Sequence, residues 1–135
     1  MSEILVVDDE SSIRELIVEF LSSYGLTATS AAGGKEALTI AESDPPKVML
    51  LDVAMPEMDG IETLRELRQR ECRCAVIVMS GNADMQTAME ALELGACDFI
   101  QKPIDFQYLK RMLVAKMATL DDAGTEQVRG GQDSR

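Results

Sequence analysis

Short apolar runs alternate with helical-period stripes along almost the whole chain. Ile4-Leu5-Val6-Val7 reads as a buried strand, and Ile13, Leu16, Ile17, Phe20, Leu21 and Tyr24 then recur at i, i+3, i+4, i+7 spacing. Ser12 and Glu15 stand at capping-box spacing at the start of that helix, and Gly25 closes it. Residues 26–31 form a weaker second strand. Residues 35–43 predict a helix with Ala37, Ile40 and Ala41 inward, stopped ahead of Pro45-Pro46. Residues 48–51 are a third strand, and Ile61, Leu64 and Leu67 mark a helix entered after Gly60. Residues 75–79 are a fourth strand, followed by the stripe Met85, Ala88, Met89, Leu92 and a stop at Gly95. Residues 97–101 make a fifth strand. Beyond Pro103, the positions Leu109, Met112, Leu113 and Met117 define a last helix.

The sum is a (βα)5 order with near-continuous apolar strands. Strands of that kind are buried on both faces, which predicts a parallel sheet covered by helices on each side. Right-handed crossovers then make it an open, doubly wound α/β sheet. After Leu120 the composition turns to Asp121-Asp122-Ala123-Gly124 and Gly130-Gly131-Gln132-Asp133. The expectation is one domain over 1–120 and a polar tail over 121–135, frayed or disordered.

Composition narrows the function. A 46% hydrophobic fraction in 135 residues supports one core, and a formal charge of −11 opposes general binding to nucleic acid. With no histidine, Ser-His-Asp and Cys-His catalysis, the common catalytic zinc sites and a phosphohistidine-carrier role all fall away. Cys72, Cys74 and Cys97 make no disulfide framework and read as reduced thiols in or near strands. The chain passes straight from Met1 into a short strand and then Asp8-Asp9-Glu10, which fits neither a signal peptide nor a membrane span. The expected location is the cytoplasm, without membrane insertion.

Open α/β sheets carry their sites at the carboxyl ends of the strands. Those ends hold Asp8 and Asp9 after the first strand, Asp52 after the third, Ser80 after the fourth and Lys102 after the fifth. Each alone is ordinary: an Asp caps helices, a Ser before Gly turns, a Lys beside Pro is solvated. Together they make a site. Carboxylates about 5 Å apart repel by roughly 3 kcal/mol per pair at an effective dielectric near 20, so three of them call for a cation. Hard oxygen donors without His or Cys point to Mg2+, or Mn2+, rather than zinc. Lys102 and Ser80 suit the oxygens of a phosphoryl group, and a carboxylate nucleophile stands beside them. Gly33-Gly34-Lys35 matches neither glycine-rich nucleotide motif, so a nucleotide is not expected.

These residues resemble the receiver domains of bacterial two-component response regulators, the chemotaxis regulators among them. The resemblance covers residues 4–120 and rests on VVDDE at 6–10, LLDVAMPEMDG at 50–60, VMSGNAD at 78–84 and GACDFIQKPID at 95–105. It implies a flavodoxin-like five-stranded parallel sheet in the order 2-1-3-4-5. It further implies that Asp52 is the phosphorylation site, accepting a phosphoryl group from the phosphohistidine of a sensor histidine kinase or phosphotransfer protein. Asp9, Asp52 and the backbone carbonyl of Ala54 match the direct Mg2+ ligands, and Asp8 a ligand acting through water. Ser80 and Lys102 match the phosphoryl-binding hydroxyl and ammonium, with a cis bond expected before Pro103. Ser80 and Phe99 match the switch pair, although Phe99 also fits plain core. Ala54 and Asn82 match positions that flank the phosphoryl group.

The expected protein is therefore a single-domain phospho-acceptor switch, a signalling protein that catalyses only its own phosphotransfer and dephosphorylation. Its switching face would comprise the fourth helix, fifth strand and fifth helix, presented to a downstream protein rather than to nucleic acid. Met55-Pro56 and Asp59-Gly60 read as turn chemistry, and Met85, Met89, Met112 and Met117 as helix core. Two alternatives stand beside this reading. One is a receiver fragment of a larger multidomain regulator. The other is a haloacid-dehalogenase-type phosphatase with Asp8 as nucleophile, which Asp8-Asp9-Glu10 fits poorly because such enzymes begin D-x-D.

Overall fold

A computed structural model describes residues 3–81 and 84–130, with side chains described as far as Leu120. Five strands, β1 (Ile4–Val7), β2 (Ala28–Ala31), β3 (Val48–Asp52), β4 (Ala75–Ser80) and β5 (Asp98–Gln101), pair in parallel in the order β2-β1-β3-β4-β5. Between them run α1 (Ser11–Ser23), α2 (Gly34–Ser43), α3 (Gly60–Gln69) and α4 (Met85–Glu93), and α5 (Phe106–Gly130) follows. The expected element order and sheet topology are both present. The chain divides into two compact units, residues 1–104 and 105–135.

In the first unit, β1 and β3 are buried at every position, as strands covered on both faces must be. Leu5, Val7, Met49, Leu51, Val76 and Val78 share one core with Ala37 and Leu38 of α2, Leu64 and Leu67 of α3, and Ala88 and Ala91 of α4. The alternate strand positions, Ile4, Val6, Val48, Leu50, Ile77 and Met79, are equally buried but belong to the opposite face. There α1 packs on β1 and β2 and buries Ile17 and Leu21 completely. Each such Leu or Ile removed from water contributes about 1.5–3 kcal/mol. This double burial holds the strand ends in place.

Helix ends show where local signals worked and where they did not. The helices α1 and α4 close in the same way: Gly25 donates to Ser22 and Leu26 to Leu21, while Gly95 donates to Leu92 and Ala96 to Ala91. Both glycines have positive φ, 81° and 104°, as a Schellman end requires. The third such end has no glycine: Glu71 sits at φ 61°, donating to Arg68 while Cys72 donates to Leu67. At the start of α3, Asp59 accepts from the Glu62 backbone and Glu62 accepts from the Asp59 backbone, a complete capping box. The box expected at Ser12 and Glu15 is not formed. Helix α1 begins a residue earlier, at Ser11, with Glu10 at the N-cap and no side-chain cap.

The second unit is α5 with the turn before it. Asp105 caps the helix, its carboxylate accepting from Tyr108 at 3.1 Å and its carbonyl from Leu109 at 2.9 Å. Leu109, Leu113 and Met117, four residues apart, are its buried stripe. Its backbone stays helical through Gly130, past the point where the composition turns polar, and residues 131–135 lie outside the described residues. Among the described residues no helix is long and apolar enough to cross a membrane.

Candidate functional site

The carboxyl ends of β1, β3, β4 and β5 meet because the order 2-1-3-4-5 sets β1 and β3 side by side and β4 and β5 next in line. Asp8 follows β1 directly and is wholly buried. One oxygen accepts the Glu10 backbone N–H at 3.0 Å, and the other accepts Lys102 Nζ at 3.1 Å. Arg14 donates to the Asp8 carbonyl at 2.8 Å, which ties the first turn of α1 to the strand end. Asp9, next in the chain, is exposed. Asp52, the last residue of β3, is buried as well. Its Oδ1 accepts the Ala54 N–H at 3.2 Å and its Oδ2 accepts Lys102 Nζ at 3.3 Å. The carboxylates of Asp8, Asp9 and Asp52 each offer an oxygen within 4.8 Å of the others.

One ammonium thus lies between two buried carboxylates, with a third carboxylate at the rim. The charge is lopsided. Burial, and then the neighbouring Asp8, pushes the Asp52 carboxyl up from 3.8 to about 6, although Lys102 and the Ala54 N–H pull against it. Burial pulls Lys102 down, but Asp52 and Asp8 outweigh it and the ammonium ends above its ordinary value. A site whose carboxylates outnumber its cations, and whose donors are all hard oxygens, fits a divalent cation such as Mg2+.

The remaining residues reach the site by way of the backbone. The Lys102 N–H donates to the Ser80 carbonyl at 2.8 Å, and the Lys102–Pro103 bond is cis. The Ser80 hydroxyl is buried and turned toward Met85, donating to its Sδ at 3.9 Å. Phe99 is half-buried on β5, packed against the core of the first unit. Ala54 is exposed in the loop after β3. Asn82 lies outside the described residues.

Three contributors went unread in the sequence. Gly60 is buried and packed so tightly on the strand end that a Cβ there would lie 2.6 Å from the Asp52 carbonyl oxygen and 2.7 Å from Val53 Cα. Its N–H donates to the Val53 carbonyl at 3.1 Å, so the first residue of α3 braces the backbone beneath Asp52. Arg14 and Met85 are the others. Of the three, only Gly60 carried a signal, the D-G-x-E start of a capped helix.

A five-stranded 2-1-3-4-5 sheet with an acidic cluster and a lysine at its carboxyl edge is the build of a receiver domain. The chain belongs to that family: its residues 4–114 match the response regulator receiver domain. It is 40% identical over 109 residues to the regulatory protein AtoC of Escherichia coli, covering 81% of this chain and 24% of the relative. It is 41% identical over 100 residues to the DNA-binding transcriptional regulator NtrC of Salmonella typhimurium, covering 74% of this chain and 21% of the relative. The chain therefore spans about a quarter or less of the length of these two proteins. Among solved structures, the receiver domain of NtrX from Brucella abortus superposes with a TM-score of 0.80 at 32% identity, covering 86% of this chain and 98% of that one. The chemotaxis protein CheY4 of Vibrio cholerae does so at 0.78 and 28%, covering 85% and 98%. Between the two classes raised by the sequence, membership of this family favours the receiver over the phosphatase.

Proposed function

We propose that this receiver accepts a phosphoryl group on Asp52 from the phosphohistidine of a sensor histidine kinase or a phosphotransfer protein. The observation that carries the reading is the Asp52 carboxylate itself, buried at a strand end, 3.3 Å from the Lys102 ammonium and beside Asp8. Asp52 attacks phosphorus, the P–N bond breaks, and the leaving imidazole keeps the electron pair and takes up a proton. Asp9, Asp52 and the Ala54 carbonyl would hold Mg2+ directly and Asp8 through water. When bound, the ion neutralises charge on the phosphoryl oxygens and on the carboxylates. Lys102, already held at the site by two carboxylates, pairs with a phosphoryl oxygen.

The switch follows from Ser80. In exchanging the weak Met85 thioether for a phosphoryl oxygen, its hydroxyl moves toward Asp52, and Phe99 turns inward behind it. That shift alters the face formed by α4 and β5 and presents it to a downstream protein. Residues 121–135 act as a polar tail outside this machinery. The working place is the cytoplasm, where kinase and target meet.

The test is incubation with acetyl phosphate and Mg2+, followed by intact mass measurement. The wild type gains one phosphoryl group, and neither Asp52→Asn nor a sample in excess EDTA does. Retention of the adduct in Asp52→Asn overturns the assignment. A receiver within a longer regulator is supported by the small share of AtoC and NtrC that this chain covers.

A further inference from the structure

The connection between α3 and β4 carries a second pair of reactive side chains, at the amino ends of the strands and away from the carboxylates. Cys72 Sγ donates to Cys74 Sγ at 3.8 Å. Cys74 is buried and Cys72 half-buried, so solvent reaches the pair through Cys72. The backbone around them is held in advance. Glu71 is in the left-handed region, and Arg68 donates to the carbonyls of Cys72 at 2.9 Å, Cys74 at 3.4 Å and Gly95 at 3.1 Å. Burial first, then the charge and hydrogen bond of Cys72, push the Cys74 thiol up to about 12, with Arg68 pulling the other way.

Beyond the thiol–thiol contact itself, two sulfurs this close can serve a soft metal or a disulfide. A structural zinc site needs four ligands. Among the described residues, the only group of three or more His, Cys, Asp or Glu side chains gathered within ligand reach is Asp8, Asp9 and Asp52. The metal reading therefore lacks its other ligands, whereas a disulfide needs no third group, only that the two sulfurs close to about 2.05 Å with a Cβ–S–S–Cβ dihedral of about ±90°. We propose that Cys72 and Cys74 form a reversible intramolecular disulfide, a redox modification site oxidised by low-molecular-weight disulfides.

The Cys72 thiolate attacks one sulfur of the small disulfide and expels the other as a thiolate. Once Cys72 is capped, its charge and hydrogen bond no longer oppose ionisation of Cys74. Cys74 then gives its proton to solvent and attacks Cys72 Sγ, forming the Cys72–Cys74 bond and releasing the second small thiolate. The protein loses two electrons and two protons, and the small disulfide becomes two thiols.

The experiment uses the full chain carrying Cys97→Ser, incubated with oxidised glutathione under native conditions and read by intact mass. The expected product is lighter by two hydrogens, carries no lasting glutathione, and reverts with dithiothreitol. Trypsin cuts after Arg70 and Arg73, so the 71–73 peptide stays attached to the peptide beginning at Cys74 until reductant is added. Cys74→Ala, checked for folding by circular dichroism, keeps glutathione on Cys72. A stable glutathione adduct on the chain with both thiols, or thiols left unmodified after prolonged excess, overturns the proposal.

Discussion

At its carboxyl end β4 finishes on Ser80, beside two buried carboxylates that share one lysine; at its amino end it follows a loop whose carbonyls are gathered by Arg68. The two ends use a basic side chain in opposite ways. Arg68 satisfies neutral carbonyls and leaves no buried charge behind, so its bonds add to stability. Lys102 offsets only part of the negative charge around it, and Asp52 remains hard to ionise. At the acidic edge, buried negative charge opposes folding. If that is so, removing the buried charge at the acidic edge should change stability in a way that depends on pH and Mg2+, and changes at the other end should not.

The largest effect is expected from the brace beneath the acidic edge. In Gly60→Val the new Cβ meets backbone atoms at 2.6 and 2.7 Å, which no side-chain rotation relieves. The loop after β3 must shift, costing about 3 kcal/mol or more and moving Asp52 relative to Lys102. Urea unfolding reads the first, and the loss of Mg2+-dependent stabilisation reads the second. A variant as stable as wild type would show that the brace is dispensable.

Next comes removal of the opposed charge itself. Asp52 has a folded pKa raised from 3.8 to about 6, so the folded state binds its proton more tightly than the unfolded chain does. Stability from this group is therefore present below about pH 4 and lost as pH rises toward 6, a loss of about 3 kcal/mol at neutral pH. In EDTA, Asp52→Asn should be more stable than wild type by about 2–3 kcal/mol at pH 7, with the gap closing below pH 4. Saturating Mg2+ works the other way. At ten times its dissociation constant it stabilises the wild type by about 1.4 kcal/mol, and it should do less for the variant. Parallel melts of both proteins across pH 3.5–8 check the sign. Equal stabilities at pH 7 in EDTA would mean that the carboxylate is comfortable where it lies.

Fold and site differed in how far they could be read from the residues. Strands such as Val48-Met49-Leu50-Leu51 announce themselves because double burial demands unbroken apolar runs, and their alternation with helices leaves few topologies. Asp8, Asp52 and Ser80 could be placed at strand ends for the same reason, since each directly follows an apolar run, whereas Asp9 lies one residue further on and Lys102 follows Gln101. The start of α1 was not. Ser12 and Glu15 have the right spacing, but the Glu10 N–H and the Arg14 side chain are both committed to Asp8, and the helix begins where the site requires. Met85 reads as core from its helical period, yet its sulfur faces Ser80 across the loop after β4. The left-handed turn at Glu71 was hidden too, because no glycine stands there to signal it. Distances between elements, rather than periods within them, were what the sequence concealed.

That turn supplies the smallest and cleanest contrast with the acidic edge. Glu71 holds a position that Gly25 and Gly95 fill at the ends of α1 and α4, with φ 61° where they have 81° and 104°. A side chain there costs about 1–2 kcal/mol in the left-handed region, while a glycine costs about 0.5–1 kcal/mol through the unfolded chain. Glu71→Gly should therefore stabilise the protein by about 0.5–1 kcal/mol. Unlike the gain in Asp52→Asn, it should not vary with pH between 4 and 8 or with Mg2+, because no buried charge is involved. Thermal melts at two pH values, with and without EDTA, separate the cases. A gain that follows the Asp52 titration would mean that the two ends of the sheet are coupled, and the contrast between them would fail.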